Sequence, residues 1–385
     1  MFSRRAPGDT SLNALSQLLE KTGQPRCDLT LSNPTRAGLD SARQLEIVAR
    51  ATNRAAAYTP EPFGLVSARR AVVERVFAGQ AGLAPDDVLL SASTSEAYGY
   101  LFKLLCDPGD AVLVPAPSYP LFEHLAVLEG IRAVPYRLAY DGAWHIDSES
   151  LRSAVTERTR AVIAVSPNNP TGHYLAADQQ AELEALGLPL LVDEVFFEYG
   201  WQPGQRRRAR ELRSAHAGLT FSMGGLSKLA GLPQLKLGWT VIDGPEPLRR
   251  AARERLEFIA DSYLSVGTPI QLALPELLES CGSATEWILA RCRASLDKLS
   301  RALPGTPITL QVAEAAWSAV LRLPALQSEE AWVLGLLREQ SVLVQPGWFY
   351  DFATEPYVVV SLLTPPDVFD EGVGRLIEHV ARVAG

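Results

Sequence analysis

Three short segments carry side chains whose types and spacing suit chemistry on a polar ligand. SPNNPTG, Ser166 to Gly172, follows the apolar run RAVIAV. Two amides, a proline and a glycine after a strand are ordinarily just a turn. LPLLVDEVFFEYG then puts Asp193 and Glu194 at the end of another apolar run, where an acid needs a partner or a task, because burying it alone is costly. LTFSMGGLSKLAGLPQLKLGW completes the set, with Lys228 in a Ser/Gly-rich loop after a third run and Lys236 eight residues further on. Amide, acid and amine therefore converge on one sheet edge.

The elements that must hold them follow from the alternation around them. Between about residues 87 and 242, short apolar or β-branched runs (DVLLSAS, AVLVPA, RAVIAV, LPLLVD, LTFSM, LGWTVI) alternate with helical stretches such as AADQQAELEAL. Strands that are apolar on both faces indicate βαβ units and a parallel sheet covered by helices. Such sheets carry ligands at the carboxyl ends of their strands. From about 245 to 302 the pattern is helical, and 305–385 mixes strand-like TPITLQV, SAVLRL, SVLVQP and YVVVSLL with helical SEEAWVLGLLREQ and a final amphipathic helix. A smaller α+β lobe is expected there. The dense basic run Arg206, Arg207, Arg208 and Arg210 reads as a solvated loop.

Composition narrows the class of function. The chain has 385 residues, 47% hydrophobic and 21% charged, with 44 acids against 36 bases and a net charge of −8. That is a globular protein, and its acidic balance argues against nucleic acid or anionic membranes as partners. No apolar run approaches the ~18 residues of a membrane span, and the N-terminus lacks a signal-peptide core, so a cytoplasmic protein is expected. The four cysteines and five histidines are scattered without metal-ligand or redox spacing. Reduced thiols and no metal site follow from that reading.

NPTG, DEV, and SK followed by GLPQLKLGW, in this order and spacing, resemble the fold-type I pyridoxal-phosphate enzymes of the class I/II aminotransferase family. Tyr58 before Gly64, SASTSEAY, DPGDAVLVPAPSYP and PGWFYDF agree with it, and the resemblance covers the whole chain. It implies an α/β fold: a three-layer αβα large domain with a mostly parallel sheet, binding the cofactor over 45–265, and a smaller α+β domain from 1–44 with 266–385. The cofactor is an electron sink that needs an amine and a buried anion. Lys228 matches the family's Schiff-base lysine, and a sheltered lysine can act as nucleophile and then as base. Asp193 matches the partner of the pyridinium nitrogen, Asn169 the donor to the ring hydroxyl oxygen, and Tyr119 the ring-stacking aromatic. Ser93 and Thr94 lie at a strand-to-helix turn suited to a phosphate, and Ser227 and Lys236 complete the implied cofactor contacts. Tyr58 corresponds to a tyrosine that reaches the phosphate from a neighbouring subunit, implying a homodimer with shared active sites.

The sequence departs from the resemblance at several places. Gly225 stands where the family often has a phosphate-binding serine, and Lys236 replaces its arginine, keeping the charge but losing the bidentate fork. Phe196 stands where a tyrosine commonly donates to the ring hydroxyl oxygen. Ser32 takes the place of a glycine that touches substrate. Val359 occupies the position of the arginine that holds a substrate α-carboxylate, and residues 339–374 contain no Lys or Arg. The usual clamp is therefore missing. Either another cation replaces it, Arg36 in NPTRAG being nearest in sequence, or the substrate has no free α-carboxylate.

These readings lead to a pyridoxal-phosphate aminotransferase that moves an amino group between an amino-acid or amine donor and a carbonyl acceptor through Lys228. The same cofactor used for elimination, decarboxylation, racemisation or cyclisation is the alternative, because fold analogy does not separate them. A DNA-binding regulator would need a domain ahead of CDLTLSNPT, where about 26 residues stand. A plain nucleotide-binding protein would need a GxGxxG loop, which is absent.

Overall fold

The computed structural model describes residues 2–8, 10–202, 218–354 and 356–385. The basic run at Arg206–Arg210 lies outside the described residues. Eight strands form one sheet in the spatial order Val88–Ser91, Gly238–Asp243, Thr220–Gly225, Leu190–Asp193, Thr159–Val165, Ala111–Ala116, Arg132–Tyr140 and Trp144–Ile146. Gly238–Asp243 runs antiparallel to both its neighbours, as does the short edge strand Trp144–Ile146 to its one partner; the other pairings are parallel.

Alternation along these strands builds two cores. Ala161, Ile163, Leu191, Phe221 and Ile242 face the helices Thr94–Leu105, Leu121–Glu129 and Glu246–Asp261. Their neighbours Val162, Ala164, Leu190 and Val192 face the opposite side, where Leu151 and Leu183 of Ser148–Ala154 and Ala177–Glu184 cover them. On that side Val88, Leu90 and Val241 pack under Ala42–Thr52, Val66–Ala71 and Thr268–Ser280. The period of two thus produces a three-layer αβα lobe.

The smaller lobe is an antiparallel sheet ordered Thr309–Leu310, Ser318–Arg322, Tyr357–Ser361 and Gln345–Pro346. The helices Gly282–Ala302, Glu329–Gln340 and Pro366–Ala384 bury Ile288, Cys292, Trp332, Leu336 and Phe369 in its core. The N-terminal segment joins this lobe: Cys27–Asp28 pairs in parallel with Val342–Leu343, and the Ser361 amide donates to Leu29 O at 2.6 Å. Among the described residues no helix is long and apolar enough to cross a membrane.

Candidate active site

Five strands of the large sheet run in the same direction and deliver their carboxyl ends to one place. Ser91 leads to Ser93, Ala116 to Ser118 and Tyr119, Val165 to the NPTG turn, Asp193 ends its own strand, and Gly225 leads to Lys228. A cavity of about 490 Å³ opens there, roofed by Trp317, Ser318, Gln345, Phe349 and Tyr350 of the smaller lobe. Ser32, Ser93, Thr94, Tyr119, Asn169, Asp193, Ser227, Lys228 and Lys236 all line it.

Asp193 is 7% exposed. Its Oδ1 accepts the Val195 amide at 3.0 Å and its Oδ2 the Tyr98 hydroxyl at 3.3 Å. Burial pushes the carboxyl up to about 6, against the pull of the Val195 amide, the Tyr98 hydroxyl and the Lys228 ammonium. Tyr98, buried and beside that acid, has its phenol held well above the usual range, so it remains a donor. Burial also lowers Lys228, with Asp193 opposing the shift. The Lys228 Nζ lies 5.1 Å from the centre of the Trp317 ring and 5.4 Å from that of Phe196. Its backbone is anchored by the Tyr199 hydroxyl, which donates to Lys228 O at 2.5 Å. An amine between two aromatic faces with its main chain fixed is both sheltered and aimed.

The helix Thr94–Leu105 starts at the cavity, with Ser93 as its N-cap accepting the Glu96 amide at 3.2 Å. The first-turn amides and the helix dipole give such an N-terminus the capacity to hold an anion. Gly238 keeps it compact: a Cβ there would come within 3.1 Å of Gly224 O and 3.3 Å of the Ser93 carbonyl carbon. Asn168 shapes the next wall from behind, because its amide donates to Pro117 O and to Thr171 Oγ1 while the Ser118 hydroxyl donates to its Oδ1. That leaves the half-buried Asn169 as the amide of this turn that lines the cavity.

Two expected residues lie elsewhere in the single chain. Tyr58 is 73% exposed and borders a separate groove with Glu61, Tyr100 and Gln271. Arg36 is exposed on the turn closed by its amide to Asn33 O, outside the cavity lining. Sequence reasoning had missed Tyr98 and Ser118, together with Trp317, Ser318 and Gln345. Tyr98 belongs to an apolar stripe in its helix, whereas the last three lie in the other lobe with no motif around them.

Val359 lies in the strand Tyr357–Ser361 of the small sheet. It pairs with Val320 and with Gln345, so the three side chains share one side of the sheet. Gln345 reaches the cavity, but Val359 is 1% exposed, clustered with Val320, Tyr350 and Tyr357.

The whole chain resembles proteins of known activity. Residues 24–373 match the family described as aminotransferase class I and II. The glutamate-pyruvate aminotransferase AlaA of Haemophilus influenzae is 27% identical over 382 residues, 94% of this chain and 92% of its own. An alanine aminotransferase of Mycobacterium tuberculosis is 29% identical over 351 residues, 86% of this chain and 79% of its own. The solved alanine aminotransferase of Pyrococcus furiosus superposes with a TM-score of 0.84 at 25% identity, covering 96% of this chain and 95% of that one. This chain belongs to the class I and II aminotransferases, a family of pyridoxal-phosphate-dependent transferases, and is an aminotransferase moving an amino group between a donor and a carbonyl acceptor.

Proposed function

We propose that Lys228 is the covalent anchor for pyridoxal 5′-phosphate and the group that moves the proton at the reacting carbon. The observation that carries this reading is the pairing, in one cavity, of a sheltered amine on Lys228 with a buried carboxylate on Asp193, next to an open helix N-terminus. When bound, the cofactor supplies an electron sink beside the substrate's reacting carbon.

The donor set fits that group. Asp193 offers an anion to the ring nitrogen, and a cation there draws the carboxyl back to its ionised form. Asn169 offers its amide to the ring hydroxyl oxygen, and Tyr119 offers an aromatic face. The amides following Ser93, with Lys236 at the cavity's rim, receive the phosphate. Phe196 brings no hydroxyl, so Asn169 serves as the side-chain donor on that side. Lys228, with its affinity for protons lowered by burial, takes a proton from carbon and returns it, while Trp317 and Phe196 exclude water around it.

A homodimer supports the same site. Tyr58, Phe258 and Tyr263 are 73%, 78% and 51% exposed, an apolar surface suited to a second copy, whose Tyr58 would approach the phosphate. The four cysteines are free thiols, as a reducing cytoplasm allows.

Lys228→Ala tests the reading. The wild type should acquire the visible absorbance of the cofactor joined to a lysine amine, and the variant should bind cofactor without it. An unchanged spectrum in the variant would refute the assignment.

A further inference from the structure

We infer that the donor is a primary amine on an uncharged, apolar or aromatic skeleton, with no carboxylate on the reacting carbon. The inference rests on the site assignment above and adds a substrate class to it.

A carboxylate on the reacting carbon is one bond from the carbon that bears the amino group. It cannot reach solvent or a distant cation; it must lie beside Lys228, inside the cavity. The described side chains that line that cavity include two cations, Lys228 and Lys236. Lys228 is committed to the chemistry and Lys236 to the phosphate. The other charged group among the described lining residues, Asp193, has the wrong sign.

Among the described residues, the part of the cavity wall formed by the small lobe carries no charged side chain. Period-two alternation places Ser318, Val320, Val359 and Gln345 on one face of the small sheet. Ser318 and Gln345 line the cavity, and Val359 is buried in an apolar cluster with Val320, Tyr350 and Tyr357. Trp317, Phe349 and Tyr350 complete the surface. Arg36 does not line the cavity. A carboxylate placed here loses its water without gaining an ion pair, whereas an apolar body gains contact with three aromatic rings.

The reaction balances without an outside oxidant. The donor carbon loses its C–N bond and one hydrogen and becomes an aldehyde or ketone, with its oxygen from water. The acceptor carbonyl carbon loses its oxygen as water and gains the amino group and a hydrogen.

The test compares matched donors that differ only by the carboxylate: 2-phenylethylamine with L-phenylalanine, and ethylamine with L-alanine. Single-turnover half-reactions are followed on holoenzyme already shown by borohydride trapping to carry its cofactor on Lys228, so a failure here leaves that assignment standing. The amine of each reacting pair should be faster by about 100-fold or more. A second readout needs no turnover: in calorimetry, 3-phenylpropanamide should bind at least about tenfold more tightly than 3-phenylpropanoate. Either amino acid reacting as fast as its amine, both amines failing to react, or the acid binding as well as the amide overturns the inference.

Discussion

The two walls of the cavity are built from opposite materials. The large-lobe wall is charged and anchored by hydrogen bonds: Asp193 between Tyr98 and the Val195 amide, Lys228 held through its carbonyl, and a helix N-terminus lining the same cavity. The small-lobe wall is aromatic and neutral, formed by Trp317, Phe349 and Tyr350 with Ser318 and Gln345. The first wall fits a cofactor, whose charges are the same for every substrate. The second fits the part of the substrate that varies. On the proposed assignment the charged groups that do the chemistry come from the large lobe and most of the substrate-facing surface from the small one, so changes on one side should leave much of the other's signature intact.

The largest expected effect breaks the charged wall. Lys228→Ala should lower turnover by about 10³-fold or more in steady-state assays, since it removes the proposed covalent anchor and proton carrier. Asp193→Asn keeps shape but removes the anion, and should cost about 10²-fold in kcat with a smaller change in KM.

The small-lobe wall has its own support. The Glu329 carboxylate, 2% exposed, accepts the Trp348 amide at 2.6 Å and the Tyr357 amide at 2.8 Å, pinning the turn that presents Phe349 and Tyr350. Glu329→Ala should lower unfolding stability in urea by about 2–3 kcal/mol, because two amides lose a charged acceptor. In the same variant KM should rise more than kcat falls, with the cofactor spectrum unchanged.

Titration sharpens the contrast without cofactor. Asp193 is raised from 3.8 to about 6, so its contribution to stability is full below pH 4 and is lost as pH rises through 6. His173 is lowered from 6.5 to about 4 by burial, so its contribution is full above pH 6.5 and is lost as pH falls through 4. Each amounts to about 3 kcal/mol and their slopes oppose, so in the wild-type apoprotein these two contributions largely offset each other between pH 4 and 6. Asp193→Asn should expose a profile that rises with pH, measured by urea unfolding across that range.

Sequence made the charged wall legible because its chemistry dictates residue type at fixed offsets from strand ends. Asp193, Lys228 and Asn169 come to line one cavity as those offsets implied. Tyr98 was hidden because its helix buries the same stripe for packing, and only the fold shows that its hydroxyl meets an acid. Trp317 and Gln345 were hidden because strand alternation gives a face but not what that face meets. Arg36 shows the limit of proximity along the chain, four residues from cavity-lining Ser32 yet pointing to solvent-exposed ground. The helix-covered parallel sheet was readable because apolar runs on both strand faces admit few other folds, and the smaller lobe because strand-like and helical runs mix over 305–385.

The most direct measurement is borohydride reduction of the cofactor-loaded protein, followed by proteolysis and mass spectrometry of the peptide spanning Leu226–Lys236. The account predicts a reduced cofactor adduct on Lys228 and on no other lysine. An adduct on Lys236, or none on either, would contradict it.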